Sequence, residues 1–466
     1  MTRLRVLKAQ PLRPFLSLLI ALPAFVACDT QPSPRSAVLI ILDTLRADRL
    51  GTYGHSRPTS PHIDRLASEG IVFENAISYG AWTLPAITAL LTGSYPTKRE
   101  FDGGLTRSLV ENLRTGGIRT AAFTEGGYVS HHFGINRGFE VYHDPDSAIR
   151  IAGEANAPKI AIRRTFSAAE EWLRQNAGQP FFLFIHTYEV HIPYLRASFA
   201  RELPRGELGA VVNIGENRRI RDGEVQLRQV EQRYLAALYD GGIRVADREV
   251  GKFVSLLDEL GIADQTLVVV TSDHGEDLGD RYPQYAAEHG HSLYDELVRV
   301  PLIIRESQRG QSPHRVTQTV RSVDVMPTIL DLLGVEHAAG DGLSLTPLLR
   351  GGKLGDRVAL SHNLRFGPER LALRMGEFKL IRNVSPDPSV PPVDVNAPAI
   401  EFYDLSSDPE ERNNVASGSP SEVARLQSEL DASLERERSL GPANFGPRPE
   451  LAPELERQLE ALGYVR

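Results

Sequence analysis

Asp43, Thr83 and the adjacent pair Asp273-His274 are the residues of this chain whose types and settings best suit chemistry. Two carboxylates and an imidazole are hard and borderline ligands for one divalent cation. Such a cation would lower the pKa of a neighbouring hydroxyl and make Thr83 a nucleophile at neutral pH. His191 and His291 would supply positive charge or protons to an anionic ester. Thr83 opens the stretch Thr-Leu-Pro-Ala-Ile-Thr-Ala-Leu-Leu-Thr-Gly93. Proline in the first turn and glycine after the last spell a helix with Thr83 at its N-terminus. Free backbone N–H groups there hold anions readily. The stretch alone leaves two readings open, a functional hydroxyl or an ordinary N-cap. Asp43, likewise, reads as a ligand or as a helix-capping aspartate.

Buried strands position these residues. Residues 36–44 are a continuous apolar run ending at Asp43, as in a parallel sheet covered on both faces. Pro180 to His186 is a second such run, with His191 just beyond it. Thr266 to Gly275 is a third, terminated by Asp273-His274. In open α/β sheets, ligands bind beyond the carboxyl ends of the strands. If the sheet is one, Asp43, Thr83, Asp273 and His274 meet at one edge. Helices are expected at 61–70, 106–116, 165–176 and 323–333, and one or two long ones at 226–260. Short strands are expected at 71–73, 119–123 and 298–304. Asp240 and Asp247, on the long helical stretch, read as core-facing or solvated. Residues 195–225 read as an irregular surface insertion, and the loop from Glu276 to Glu288 is polar and leads to His289-Gly290-His291. His186 and His289 read mainly as structural histidines.

Alternating strands and helices over 36–355 predict a doubly wound α/β domain, its mostly parallel sheet flanked by helices. Short alternating strands at 370–375, 377–382 and 401–405 predict a small antiparallel α+β subdomain over 356–420, and 421–466 reads as a helical tail. The chain has 466 residues and a net charge of −8, which gives no reason to expect nucleic-acid binding. A single cysteine, Cys28, excludes intrachain disulfides and thiolate metal clusters. Residues 1–28 have the basic start and short apolar core of a secretory signal. Cys28 ends that core after Phe25-Val26-Ala27, similar to a bacterial lipobox, though leucine is usual where Phe25 stands. Residues 29–35 would be a tether, and the mature chain an extracytoplasmic lipoprotein held to a membrane by lipid. A plain secretory signal is the alternative.

These residues carry a family resemblance. The chain resembles the sulfatase-like branch of the alkaline phosphatase superfamily over roughly residues 36–415. The matching blocks lie at Val38 to Gly54, Ser60 to Gly70, Leu90 to Gly93, His186 to Pro193, Thr271 to Glu276, Tyr294 to Ile303, Val323 to Gly334 and Phe402 to Asn414. The resemblance implies an alkaline-phosphatase-like fold and one divalent ion (Ca, Mn, Zn or Mg) on Asp43, Thr83, Asp273 and His274. It implies Thr83 as covalent nucleophile, and His191 or His291 as the group that protonates the leaving group. A second metal would need further ligands, such as His186, His191 or His291.

Departures from the pattern bear on the substrate. Sulfatases carry Cys-x-Pro-Ser-Arg or a serine variant whose first residue becomes formylglycine. Here Thr83-Leu-Pro-Ala-Ile stands in that place, and threonine is no substrate for the conversion. The usual aspartate pair after the first strand is Asp43-Thr44, and a Lys-Trp-His segment is replaced by Phe123-Thr124-Glu125. Superfamily members that use unmodified threonine act on phosphate diesters. The expected function is metal-dependent hydrolysis of a sulfate, phosphate or phosphonate ester, with a small molecule, glycan or lipid as substrate. An envelope phosphodiesterase or phospho-group transferase is the nearer alternative. A non-catalytic lipoprotein that keeps the fold is the alternative of another class.

Overall fold

The central strand is Ser36–Leu42 (β1), every residue of it buried. It takes parallel partners on both sides. On one side lies Phe181–Thr187 (β5), on the other Thr266–Thr271 (β6). The structure, a computed structural model, describes residues 35–96, 105, 108–144, 158–306, 312–363, 369–385, 398–439 and 453–462. The signal segment and most of the tether lie outside these residues. Ser33–Arg466 forms one compact unit.

The main sheet also contains Ile71–Ile77 (β2), Arg119–Phe123 (β3), Val141–His143 (β4), Arg299–Arg305 (β7), His314–Val316 (β8) and Val320–Arg321 (β9). Its order is β4-β3-β5-β1-β6-β7-β2-β8, with β9 also on β2. Among the described strands of this sheet only β7 runs antiparallel to its neighbours. It follows β6 through a loop and a single helical turn, not a crossover helix, and that connection reverses the chain.

Side chains alternate across β1, so each face builds its own core. Val38, Ile40 and Leu42 pack with Pro61–Glu69 (α1), Pro158–Asn176 (α4) and Gln229–Glu259 (α6). Ala37, Leu39 and Ile41 pack with Thr83–Thr92 (α2), Val110–Thr115 (α3), Val325–Leu332 (α8) and Thr346–Leu349 (α9). The doubly wound architecture follows from these two apolar faces.

Several boundaries differ from expectation. The helix expected at 106–116 is described only as α3. The stretch 195–225 is not wholly irregular. It contains Ile214–Arg221 (α5), started by Asn213, whose side chain accepts from Glu216 N, and anchored by buried Asn217 and Ile220. The 226–260 region is one helix, α6. Its Asp240 is buried beside Arg49, His55 and Arg57, and its Asp247 accepts from His62 N and Ile63 N at the start of α1.

The second sheet is antiparallel, in the order Val358–Asn363 (β10), Glu369–Met375 (β11), Phe378–Ser385 (β12), Ile400–Asp404 (β13). β10 is an addition to the three strands expected. The tail forms two helices with different partners. Leu426 and Leu430 of Pro420–Ser439 (α10) pack on the small sheet, whereas Leu455 and Leu459 of Pro453–Ala461 (α11) join the main core.

A buried ion network ties the two sheets together. Asp295, at the start of Asp295–Val298 (α7), accepts from Arg374 Nη1 at 2.9 Å and Lys379 Nζ at 2.7 Å. Lys379 Nζ also lies 2.7 Å from Glu411 Oε1, an ion-pair contact without hydrogen-bond alignment. Burial alone would lift the Asp295 carboxyl, but Lys379 and Arg374 outweigh it and hold it below the usual carboxylate range. Such a group stabilises the fold fully above its unfolded value, near about pH 4, and loses that contribution as pH falls below it. Lys379→Met leaves buried Glu411 without its counter-charge and Asp295 with Arg374 alone, and is expected to cost about 3–5 kcal/mol in urea unfolding at neutral pH. Asp295→Asn is expected to flatten the loss of stability below about pH 4. An unchanged acid limb would exclude the network as its source.

Candidate metal and nucleophile site

The register of the central strands brings the site together. Ile41 lies opposite His186 of β5 and Thr271 of β6. Asp43 stands just past the end of β1 and extends the ladder, its N–H donating to Thr187 O at 3.1 Å. Asp273 and His274 stand just past the end of β6. The two carboxylates therefore emerge side by side from adjoining parallel strands. Both are fully buried, as are Thr83 and His274.

Thr83 is the first residue of α2, and Trp82 takes the N-cap position with no side-chain cap bond. The N-cap reading is thus corrected. Thr83 Oγ1 donates to Asp43 Oδ2 at 3.2 Å and lies 3.4 Å from His274 Nε2. The helix is buried on all sides except at its last residue, Thr92. Gly93 closes it with φ 63°, the left-handed conformation that glycine adopts without cost.

The donor set fits a cation. Asp43 Oδ1 and Asp273 Oδ2 are buried and have no hydrogen-bond partner. Burial, and then the Asp273 charge, push the Asp43 carboxyl well above the usual carboxylate range. His274 Nδ1 lies 2.8 Å from Gly275 O, so the N–H sits on Nδ1 and Nε2 keeps its lone pair. That Nε2 is 3.4 Å from Asp273 Oδ2 and 3.8 Å from Asp43 Oδ1. One ligand atom from each of Asp43, Asp273 and His274 falls within 4.8 Å of the others, and this is the one such trio found among the described residues.

Strain marks the same place. Thr44, β-branched, adopts φ 60°, an outlier for its type. Tyr239 OH holds it there by donating to Thr44 O at 2.7 Å, and Thr44 N points at Asp273 Oδ1, 3.4 Å away.

The histidines divide differently from expectation. His186 Nε2 lies 3.3 Å from Asp43 Oδ2 without hydrogen-bond alignment, and burial lowers its pKa. His191 Nδ1 donates to Ile192 O at 2.7 Å; burial, then His289, hold its pKa down to about 3, so it is neutral. The ring of His289 lies 4.5 Å from that of His274 and 5.1 Å from that of His191. His289 Nδ1 meets Glu276 Oε1 at 3.0 Å, and burial pushes the Glu276 carboxyl up to about 7. His291, expected beside the ester, instead meets Asp277 Oδ2 at 3.1 Å and packs on Tyr282 and Tyr285. Gly290, at φ 77°, turns the chain between the two imidazoles. Residue types in His-Gly-His gave no signal for which histidine would face His274.

Glu125, standing where the resemblance places a cationic segment, is turned into the fold. It accepts from Thr187 Oγ1 at 2.8 Å and Tyr188 N at 2.9 Å, and burial pushes it up to about 7. It cannot grip an anion.

A doubly wound sheet carrying a buried carboxylate–imidazole cluster that could hold a metal ion, beside a helix-start hydroxyl, is the setting of a sulfuric or phosphoric ester hydrolase of the sulfatase type. The chain belongs to the Sulfatase family, whose model matches residues 35–335. Residues 288–439 match the model described as N-sulphoglucosamine sulphohydrolase, C-terminal. Among curated relatives, the chain is 26% identical to the multifunctional alkaline phosphatase superfamily protein PehA of Trinickia caryophylli, over 84% of this chain and 93% of that one. It is 24% identical to the N-acetylgalactosamine-6-O-sulfatase of Bacteroides thetaiotaomicron, over 90% and 97%. Among solved structures it shares its fold with the phosphonate monoester hydrolase of Agrobacterium radiobacter, at TM-score 0.65 and 20% identity, over 87% and 96%. No helix among the described residues is long and apolar enough to cross a membrane.

Chelation is expected to lower the melting temperature, and a divalent ion to restore it. At a hundred times its Kd the ion would add about 2.7 kcal/mol. Asp273→Asn should fold yet lose the metal-dependent part of the shift in calorimetry. A full shift in that variant would remove Asp273 from the ligand set.

Proposed function

We propose that the chain hydrolyses anionic esters with Thr83 as covalent nucleophile, and that phosphate diesters or phosphonate esters suit it better than sulfates. The placement of Thr83 Oγ1 between Asp43 Oδ2 and His274 Nε2 carries this reading. Asp43, Asp273, His274 and the Thr83 hydroxyl would hold the cation. Bound there, it would lower the pKa of the hydroxyl and polarise the ester. Asp43 orients the hydroxyl. Thr83 Oγ1 gives up its proton along its hydrogen bond to Asp43 Oδ2 and forms a bond to phosphorus as the bond to the leaving oxygen breaks, and that oxygen takes up a proton. His289, which stands between His274 and His191 and meets Glu276, is the imidazole on hand for this transfer. Water then breaks the threonine ester. Formylglycine would instead release sulfate by collapse of a hemiacetal, a route closed to threonine.

A name borne by one relative, N-acetylgalactosamine-6-O-sulfatase, supports a sulfated glycan as the competing substrate class. A four-ester panel separates the two: aryl sulfate, aryl phosphate monoester, phosphodiester and phosphonate ester. Turnover is expected mainly on the last two. Thr83→Ala is expected to lose at least about a thousandfold in kcat, and His289→Ala about a hundredfold or more. Full turnover by Thr83→Ala would exclude the nucleophile.

The proposal includes an extracytoplasmic location through lipid on Cys28, supported by its position at the end of the apolar signal core. Expressed in a bacterium, the full chain is expected in the membrane fraction, and Cys28→Ala is not. Equal fractionation would leave a plain secretory signal.

A further inference from the structure

Arg370, on β11 of the small sheet, is fully buried, and its Nε, Nη1 and Nη2 atoms are all without a hydrogen-bond partner. A guanidinium does not deprotonate in proteins, so burial without a counter-charge is costly. The other charged side chains of this face among the described residues have partners. Arg374, four residues along β11, donates to Asp295 and to Asn75. Glu401 of β13 accepts from Tyr294 OH and Tyr403 OH. Glu369, next to Arg370 but on the opposite face, meets His362 Nε2. Asn383, opposite Arg370 in register, has a buried Oδ1 that is likewise unpartnered.

The register places Arg370 at the far end of the seam between the small sheet and the main domain. Arg370, Ala372 and Arg374 alternate onto the face of the small sheet that packs on the main domain, where Ala372 shares a cluster with Ala81 and Leu293. Contacts with the main domain climb in order along this seam. Arg374 reaches Asn75 inside β2. Ser361, opposite Ala372, donates to Ser78 O at 2.6 Å. His362 N donates to Tyr79 O at 2.8 Å. Arg370 lies opposite Asn363, one step further on. The main-chain segment alongside therefore runs from the end of β2 through Ala81 and Trp82 to Thr83.

Charges around the nucleophile sharpen the need. Asp43, Asp273, Glu276 and Glu125 are all acidic, His191 is neutral, and Arg46 is taken by Asp48 and Asp280. We propose that Arg370 binds a second anionic group of the substrate, a carboxylate, sulfate or phosphate carried on the leaving-group side. This rests on the ester-hydrolase reading and adds to it a multiply charged substrate. The planar fork of donors suits such an oxyanion bidentately. Its empty hydrogen-bonding capacity is then a binding site held ready by the seam between the sheets.

Kinetics on paired substrates test it. The ester that wild type turns over best is compared as its 4-nitrophenyl and 3-carboxy-4-nitrophenyl forms. Wild type is expected to favour the carboxylated form. Arg370→Met should lose about 30-fold or more in kcat/KM on that form, mainly through KM, and less than about 3-fold on the uncharged leaving group. Arg370→Lys should recover part of the loss. A second arm needs no turnover: thermal melting against sodium sulfate. Arg370→Met should melt no lower than wild type without sulfate, because an unpaired buried charge is gone, and should gain less from sulfate. Equal losses on both esters, no preference in wild type, or an undiminished sulfate shift in Arg370→Met would overturn the proposal. If wild type cleaves no ester, the hydrolase reading falls, and the melting arm still decides whether Arg370 holds an anion.

Discussion

Two carboxylates emerge side by side from adjoining parallel strands and are removed from water. Asp43 and Asp273 cannot both be charged there at low cost without a cation between them. The surroundings are built around that conflict. The Nδ1–H bond to Gly275 O leaves His274 offering a lone pair instead of a proton. The start of α2 offers a hydroxyl and no further charge. The apolar length of β1 matters because it fixes where the first carboxylate stands against the second.

The legibility of the site follows from how its parts are specified. Asp43 and Asp273-His274 were readable because each is a polar residue at the end of an unbroken apolar run, and such runs fold as central strands. Thr83 was readable from the proline and glycine that bracket its helix. Other features depend on backbone reversals that residue types do not announce. Thr44 at φ 60° and Gly290 at φ 77° each redirect neighbouring side chains. Hence His289 stands beside His274 and His291 does not, although only one residue separates them. β7 reads like any buried strand, and its direction is decided by a loop with no crossover helix. Arg370 sits in an unremarkable alternation, Glu-Arg-Leu-Ala-Leu-Arg, where one arginine is paired and the other is not.

The small sheet is more than an appendage. Its outer face packs on α10, and its inner face meets the segment between β2 and Thr83. The Asp295–Lys379–Glu411 network sits in that seam and links α7, β12 and the loop after β13. The loop that follows His274 returns to the core through α7. Structural charge pairing and the geometry of the candidate metal site are therefore mechanically adjacent, though none of the ion pairs described for the network touches the trio.

Gly275 shows how narrow that adjacency is. A Cβ placed there would lie 2.0 Å from Glu296 O, and its own N–H is bonded to Leu297 O at 2.8 Å. The carbonyl of the same residue fixes the His274 tautomer. A residue with no side chain and no chemistry thus sets both the position and the protonation pattern of His274. In a screen for inactive alleles, substitutions at 275 would score alongside those at Asp43, Asp273 and His274. A functional map drawn from such phenotypes alone would mistake a spacer for a participant.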